Sequence, residues 1–187
     1  MSKISPLAFI DPEAKIGENC EIGPFCFIDK NVEIGDNNVL MNSVSVLYGA
    51  RIGNGNVIFP GAVISAVPQD LKFRGEETTA EVGDNNKIRE NVTINRGTAA
   101  KGKTCVGSGN LLMESVHVAH DAFVGNDCII GNGTKLAGEI IIDDHAIISA
   151  NVLMHQFCRV GGYTMVGGGT RFSQDIPPYT ICAREPV

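Results

Sequence analysis

The chain has 187 residues, of which 43% are hydrophobic, with 22 glycines, no tryptophan and a formal net charge of −6. This length predicts one domain with a sizeable core. The acidic balance argues against a nucleic-acid or anionic-membrane surface. No apolar run is long enough for a membrane span, and residues 1–14 lack the apolar core and cleavage site of a signal peptide. We therefore expect a cytoplasmic protein.

An aliphatic residue recurs at every sixth position from Ile4 to Val166, in one register that is filled in three runs. The runs are Ile4, Ile10, Ile16, Ile22, Ile28, Ile34, Leu40, Val46, Ile52, Ile58 and Ile64; then Val82, Ile88 and Ile94; then Val106, Leu112, Val118, Val124, Ile130, Leu136, Ile142, Ile148, Met154, Val160 and Val166. Short strands separated by bends that Gly or Asn tolerates, three to a turn, predict a triangular coil of about eighteen residues.

Along the chain the register is interrupted twice. Residues 65–81 are polar and contain Pro and Gly, whereas residues 97–105 are small and basic. Both segments predict loops that leave the coil, and loops on a rigid scaffold are where binding groups usually lie. Three register positions are not filled by Ile, Val, Leu or Met, and all three fall inside these segments: Asp70, Glu76 and Ala100.

The cysteines fit the repeat better than a disulfide or metal framework. Five of the six stand two residues before a register position, where Ala and Thr are also common: Cys20, Cys26, Cys128, Cys158 and Cys182. No C-x-x-C pair is present, so we interpret these cysteines as small core residues in a reducing compartment.

The H-x-x-H-D stretch brings His117, His120 and Asp121 together between two register positions. Stacking at eighteen residues places His120 in one column with Gly138 and Gln156. His120 would accept a proton from a substrate hydroxyl, Asp121 would fix its tautomer, and Gly138 would offer an N–H to an oxyanion. Spacing alone leaves this interpretation and that of inert surface histidines both open.

The two remaining histidines carry weaker signals. His155 replaces the Gly that usually follows the aliphatic residue, which favours a binding role, whereas His145 lies in a DDHA turn and is interpreted as solvated. The H-x-x-H spacing is too narrow for the three-histidine zinc site of β-helical carbonic anhydrases. We therefore expect no metal and no cofactor.

The pattern aliphatic–Gly–x–x–small–x resembles the hexapeptide-repeat acyltransferase superfamily, which is left-handed and usually trimeric. The implied fold is an all-β, left-handed parallel β-helix over residues 1–187 with two protruding loops. Five stretches in this order are similar to the UDP-N-acetylglucosamine acyltransferases: PQDLKF (68–73), TINRGT (93–98), HVAHD (117–121), HQF (155–157) and DIPPY (175–179). This resemblance implies an enzyme that moves a 3-hydroxyacyl group from acyl carrier protein to the 3-hydroxyl of UDP-N-acetylglucosamine. The reaction opens lipid A biosynthesis, and the sites lie between the subunits of a homotrimer.

By matching position, the resemblance makes His120 the general base, Asp121 its partner and Gly138 the oxyanion amide. It implies substrate contacts from Gln69, Asp70, Lys72, His117, His155 and Gln156. It makes Gly168 the residue that limits acyl-chain length, and a glycine there leads us to expect a long chain.

The chain also departs from the family. Asn95 and Glu139 stand where some relatives have His, and the family's C-terminal helical domain, which helps dock the acidic carrier, is expected to be absent after AREPV. Basic residues beside the cleft would still attract that carrier: Lys72, Arg74, Arg96, Lys101, Lys103 and Lys135. The alternatives are the N-acyltransferase of the same pathway, which the QDLKF loop disfavours, and a non-catalytic or zinc-dependent β-helix protein.

Overall fold

A computed structural model of the protein describes residues 2–183, which form three parallel sheets of very short strands and no helix. Sheet A contains, in spatial order, β1 (Lys3–Ile4), β4 (Glu21–Ile22), β7 (Val39–Leu40), β10 (Val57–Ile58), β13 (Lys87–Ile88), β16 (Leu111–Leu112), β19 (Ile129–Ile130), β22 (Ile147–Ile148), β25 (Met165–Val166) and β27 (Ile181–Cys182).

The other two sheets complete the triangle. Sheet B contains β2 (Phe9–Ile10), β5 (Phe27–Ile28), β8 (Ser45–Val46), β11 (Val63–Ala66), β14 (Thr93–Asn95), β17 (His117–Val118), β20 (Lys135–Leu136), β23 (Leu153–Met154) and β26 (Arg171–Phe172). Sheet C contains β3 (Lys15–Ile16), β6 (Glu33–Ile34), β9 (Ala50–Ile52), β12 (Thr79–Val82), β15 (Lys103–Val106), β18 (Phe123–Val124), β21 (Ile141–Ile142) and β24 (Arg159–Val160).

Consecutive strands belong to different sheets, so the chain winds around a triangular prism. Each coil passes from sheet A to B to C, and its turns form the A–B, B–C and C–A corners. Register residues eighteen apart pair between coils, as Val118 does with Leu136, and both are fully buried. The residue before each of them points outward, as His117 does beside Val118. The six-residue period therefore encodes a column of inward aliphatic side chains that stack from coil to coil.

The two loops are shorter than the sequence predicted. Loop one comprises residues 67–78 and loop two residues 96–102, because β11, β12 and β15 extend into the segments predicted as loops. Coils that carry a loop are longer than the usual eighteen residues. Val57 pairs with Lys87, thirty residues away, and Lys87 pairs with Leu111, twenty-four residues away. Loop one therefore adds twelve residues and loop two adds six, and because both lengths are multiples of six the register survives them.

The glycine that follows the aliphatic residue is not the bend residue that the sequence suggested. Positive φ angles occur two positions later, as at Asn19 (55°) and Asn37 (58°), whereas Gly17 and Gly35 are not among the positive-φ residues. A Cβ on Gly17 would lie 2.7 Å from the carbonyl oxygen of Gly35 on the next coil. Close contact between coils therefore explains glycine at this position, and the left-handed turn explains asparagine.

Four of the five repeat cysteines are buried small core residues, as predicted: Cys20, Cys26, Cys128 and Cys158. Cys182 is different, because it occupies the inward register position and pairs with Val166. The last coil is two residues short, since Ile176 bridges Val160 sixteen residues away. No disulfide joins any cysteines within residues 2–183, and no helix in that range could cross a membrane.

Candidate active site

Both loops and the histidine motif lie at one corner of the prism. Loop one follows β11, loop two follows β14 and the turn 119–122 follows β17, and all three strands belong to sheet B. The B–C corner therefore carries loop one, loop two and the His120 turn on three consecutive coils. The turns 137–140 and 155–158 continue the same corner beyond them.

His120 and Asp121 form a hydrogen-bonded pair within this corner. The Nδ1 of His120 lies 2.9 Å from the Oδ2 of Asp121. The histidine side chain is 12% exposed and the aspartate side chain is fully buried. A carboxylate only accepts hydrogen bonds, so Nδ1 carries the proton and Nε2 is left with the lone pair. The pair therefore presents a base to whatever occupies the space beyond Nε2.

The Asp121 carboxylate is stabilised by donors from loop two. Thr98 donates from its N–H to Oδ1 (2.9 Å) and from its hydroxyl to Oδ2 (2.6 Å). Burial alone would raise the pKa of Asp121, but the hydrogen bonds from Thr98 and His120 outweigh it and hold that pKa below its ordinary value. The buried carboxylate is therefore ionised near neutral pH.

Gly138 stands directly above the imidazole, as the eighteen-residue column predicted. A Cβ built on Gly138 would lie 2.6 Å from both Cε1 and Nε2 of His120, so only glycine leaves room for the ring. Within residues 2–183 its N–H donates no backbone hydrogen bond. A free N–H beside the basic nitrogen is suited to stabilising an oxyanion.

His117 lies on β17, directly before the turn that contains His120, and lines the same pocket. Its Nδ1 is 2.7 Å from the Thr93 hydroxyl oxygen, and its strand pairs with that of Lys135. Burial, followed by the nearby charges of Lys135 and His120, lowers the pKa of His117 below its ordinary value. His117 is therefore a neutral polar group near pH 7.

These groups surround one pocket of about 270 Å³. Its lining residues are Gln69, His117, Ala119, His120, Lys135, Leu136, Ala137, Gly138, Leu153 and Met154. A larger groove of about 680 Å³ lies on the outer face of sheet C, but its charged side chains are already paired, as Glu33 is with Arg51 and Glu81 with Lys103. The smaller pocket holds both histidines and is the candidate active site.

Loop one contributes Gln69 to the pocket, while Asp70 and Lys72 are not part of its lining. Asp70 accepts a hydrogen bond from the Lys72 N–H at 2.9 Å, which shapes the turn that follows Gln69. The side chain of Lys72 is exposed. Only one of the three residues predicted on this loop therefore reaches the pocket within a single chain.

Loop one is anchored by Arg96 of loop two. The guanidinium carbon lies 5.2 Å from the Phe73 ring centroid and 5.7 Å from that of Tyr48. The Nε of Arg96 is buried and has no hydrogen-bond partner within residues 2–183, so the ring faces hold the cation. Asn95 adds a bond from its Nδ2 to the carbonyl of Val67 at 3.1 Å.

The remaining predicted residues lie outside this pocket. His155 and Gln156 occupy the next turn of the B–C corner, above Gly138, and the Nδ1 of His155 lies 3.0 Å from the carbonyl oxygen of Gln156. Gly168 lies in the turn between β25 and β26, which is the A–B corner. It is therefore on a different edge of the prism from His120.

Known proteins resemble this chain over most of its length. No protein-family model matches it. The acyl-[acyl-carrier-protein]–UDP-N-acetylglucosamine O-acyltransferase of Aliarcobacter butzleri is 45% identical over 182 residues, which is 97% of this chain and 70% of that relative. The chain belongs to the UDP-N-acetylglucosamine O-acyltransferase family.

Solved structures of this acyltransferase family agree in fold. The LpxA structure from Bacteroides fragilis is 75% identical with a TM-score of 0.96, covering 98% of this chain and 72% of that one. The Francisella novicida UDP-N-acetylglucosamine acyltransferase is 42% identical with a TM-score of 0.96, covering 97% and 67%. The predicted fold class, a left-handed parallel β-helix, is confirmed.

Contacts of two residues that shape the candidate active site were not predicted. Thr98 ends the TINRGT stretch, but its contact with Asp121 spans twenty-three residues, a distance that the eighteen-residue period does not indicate. Lys101 lies 3.9 Å from Glu139 and also donates to the Asp121 carbonyl at 3.3 Å. The charge of Glu139, noted as a departure from relatives, is thus offset by a lysine of loop two.

The expectation that His145 is merely solvated was incomplete. Its ring stacks on Tyr163 with centroids 4.6 Å apart, and its Nδ1 lies 3.9 Å from the Asp127 carboxylate. Both contacts are at the C–A corner, away from the pocket, so His145 offers a control for variants of the candidate active site.

Proposed function

We propose that this protein transfers a 3-hydroxyacyl group from acyl carrier protein to the 3-hydroxyl of UDP-N-acetylglucosamine, the first step of lipid A biosynthesis. The observation that carries the mechanism is the His120–Asp121 pair beneath Gly138. The relative from Aliarcobacter butzleri is named for this same transfer. The domain that we assign to the reaction spans residues 1–187, and it acts in the cytoplasm.

The reaction follows from the direction of the imidazole. The Nε2 of His120 accepts the proton of the sugar hydroxyl, and the hydroxyl oxygen attacks the carbonyl carbon of the acyl thioester. Negative charge then develops on the former carbonyl oxygen, where the N–H of Gly138 donates a hydrogen bond. The carbon–sulfur bond breaks and the carrier thiolate takes the proton back from His120. Asp121 stays ionised and stabilises the transient imidazolium.

Other residues bind the substrates in this proposal. His117 and Gln69, which line the pocket, contact the sugar nucleotide together with Asp70, Lys72, His155 and Gln156. The neutral form of His117 suits a hydrogen bond to a sugar hydroxyl or amide without attracting a second proton. Leu153 and Met154 line the pocket two coils beyond His117 and offer an apolar surface for the first carbons of the acyl chain.

The enzyme is a homotrimer in this proposal, with each cleft between two subunits. His120 lies at the B–C corner and Gly168 at the A–B corner of the same chain. One cleft that holds both the base and the residue that limits acyl length therefore takes them from different subunits. Gly168 leaves space for a long acyl chain.

The test is an acyl-transfer assay with the purified protein, UDP-N-acetylglucosamine and 3-hydroxyacyl carrier protein. Wild type should transfer the acyl group, and His120→Ala should lower kcat by about 1,000-fold or more because the general base is gone. His145→Ala, which removes a histidine at the C–A corner away from the pocket, should retain near wild-type activity. Full activity in His120→Ala would refute the assigned base, and preference for a ten-carbon donor would refute the long chain.

A further inference from the structure

Two of the three hydrogen bonds to the Asp121 carboxylate come from one residue of loop two. The Thr98 hydroxyl donates to Oδ2 at 2.6 Å and the Thr98 N–H donates to Oδ1 at 2.9 Å. The third comes from the Nδ1 of His120, which reaches the same Oδ2 at 2.9 Å. Thr98 and His120 therefore share one carboxylate oxygen.

Loop two fixes the direction of the Thr98 hydroxyl. The N–H of Ala100 donates to the Oγ1 of Thr98 at 3.2 Å, so the hydroxyl hydrogen is left to point at the carboxylate. The N–H of Gly102 donates to the Thr98 carbonyl at 2.7 Å and closes the loop on itself. Thr98 is buried, so water does not compete for its hydroxyl.

The backbone of Asp121 is held as well. Its N–H donates to the Thr104 hydroxyl at 2.8 Å, and its carbonyl accepts from Lys101 at 3.3 Å. Loop two and the strand after it thus contact Asp121 through its carboxylate, its N–H and its carbonyl. The six residues that loop two adds to its coil therefore serve to hold the side chain and the backbone of Asp121 in place.

We propose that Thr98 is a positioning residue for acyl transfer: it holds the Asp121 carboxylate in one orientation and shares its charge, so that His120 keeps Nε2 aimed past Gly138. This inference rests on the proposed function of His120 as the base. Thr98 contacts neither the substrate nor the reacting atoms in this arrangement, and it acts only through Asp121.

Removing the hydroxyl has a predictable electrostatic consequence. Without the Thr98 donor, the full charge of Oδ2 faces the imidazole and favours its protonated form. The other charged or titratable groups around the imidazole are the same in both proteins: His117 and Lys135 in the pocket, and the Lys101–Glu139 pair at the coil edge. A change in pH dependence between the two proteins therefore reports on Thr98.

The experiment compares Thr98→Val, Thr98→Ser and Thr164→Val in the acyl-transfer assay across pH. Valine keeps the shape and backbone N–H of residue 98 but removes the hydroxyl. We expect kcat to fall about tenfold with KM for UDP-N-acetylglucosamine changed less than about twofold, and the acidic limb of kcat/KM to move to higher pH. Serine restores the hydroxyl and should restore most of kcat.

Thr164→Val is the matched structural control. Thr164 is also buried and donates to the carbonyl of Pro177 at 3.0 Å, but it lies at the C–A corner. It should lose stability without a change in the pH profile. Unchanged kcat and pH profile in Thr98→Val, or a Thr98→Ser enzyme as slow as Thr98→Val, would overturn the proposal. If Thr98→Val does not fold, Thr98→Ala carries the same expectations.

A second readout separates this inference from the proposed function. The ring-nitrogen NMR signals of His120 should change from neutral to protonated at a higher pH in Thr98→Val than in wild type, whether or not the wild type transfers acyl groups. An inactive wild type with this shift would contradict the proposed function and support the positioning role. An active wild type without the shift would do the reverse.

Discussion

At the scale of single residues, the pocket depends on where each charge is stabilised. The carboxylate of Asp121 has no exposed surface, and it is ionised because three donors point at its two oxygens. His117 is neutral instead, because burial disfavours its protonated form and lowers its pKa. The base therefore has a buried negative charge at its Nδ1 and shares the pocket with a neutral histidine.

Gly138→Ala tests how little space the base has. The methyl group would lie about 2.6 Å from the Cε1 and Nε2 of His120, so the ring must move. Gly138 is not among the positive-φ residues, so alanine is compatible with its backbone and the chain should fold. We expect kcat to fall about 100-fold, as displacement of a catalytic group by about 1 Å does, with the melting temperature nearly unchanged.

A double variant shows whether that loss passes through the histidine. In the His120→Ala background the ring is absent, so Gly138→Ala should cause almost no further loss of kcat. Two independent losses that multiply would contradict the steric explanation. They would assign the effect of the methyl group to the acyl donor or to the Gly138 amide instead.

At the scale of elements, the two loops have distinct tasks at the B–C corner. Loop two seats Asp121 through Thr98, whereas loop one brings Gln69 to the pocket edge. The two loops are joined by Arg96, whose guanidinium lies between the Phe73 ring of loop one and the Tyr48 ring of an earlier coil. The position of Gln69 therefore depends on a contact outside the pocket.

Arg96→Met should loosen loop one without touching the base. Methionine keeps much of the side-chain length but removes the cation that the two rings attract, a contact that stabilises by about 1 kcal/mol. We expect KM for UDP-N-acetylglucosamine to rise several-fold while kcat changes little. Trypsin should also cleave after the exposed Lys72 or Arg74 faster than in wild type.

Arg89→Met serves as the comparison variant. Its guanidinium lies over the Phe59 ring at 4.6 Å, which is a similar contact on the same coils but at the A–B corner, away from loop one. It should leave KM and the tryptic cleavage of loop one unaffected. Equal changes in both variants would indicate a general loss of stability instead of a local release of loop one.

At the scale of the whole molecule, the six-residue period was sufficient to predict the parallel coil and the two places where it is interrupted. It could also predict that His120 stacks beneath Gly138, because no insertion separates their coils. It could not predict the contact between Thr98 and Asp121, because loop two changes the spacing there to twenty-three residues. Nor does it hold at the end, where the last coil is two residues short and Cys182 takes the inward position.

The outer surface of sheet A is the most apolar face of the prism. Its outward side chains form a column on adjacent strands over the last coils: Leu111, Ile129, Ile147, Met165 and Ile181. A contiguous exposed apolar surface of this kind is typical of a subunit interface. It supports the proposed homotrimer, in which each subunit meets the next through two different surfaces.

A mixing experiment tests whether each site is shared between subunits. Gly168→Met fills the A–B corner, where a Cβ would lie 3.3 Å from the Ala150 carbonyl oxygen, close enough to require only a small shift. Homotrimers of this variant should lose activity with a long acyl donor but retain it with a short one, which shows that they are folded. Homotrimers of His120→Ala should be inactive with both donors.

Co-expression of the two inactive chains should restore activity with the long donor. A cleft that takes His120 from a Gly168→Met subunit and Gly168 from a His120→Ala subunit contains both intact residues. Random assortment in a ring of three gives roughly a quarter of the clefts this composition, so activity should approach roughly a quarter of that of wild type. If the base and Gly168 served the same cleft from one chain, every cleft would keep one defect. The two residues lie at different corners of one subunit, so a cleft that uses both must take them from two neighbouring subunits. Mixed trimers without long-donor activity would therefore refute the shared site.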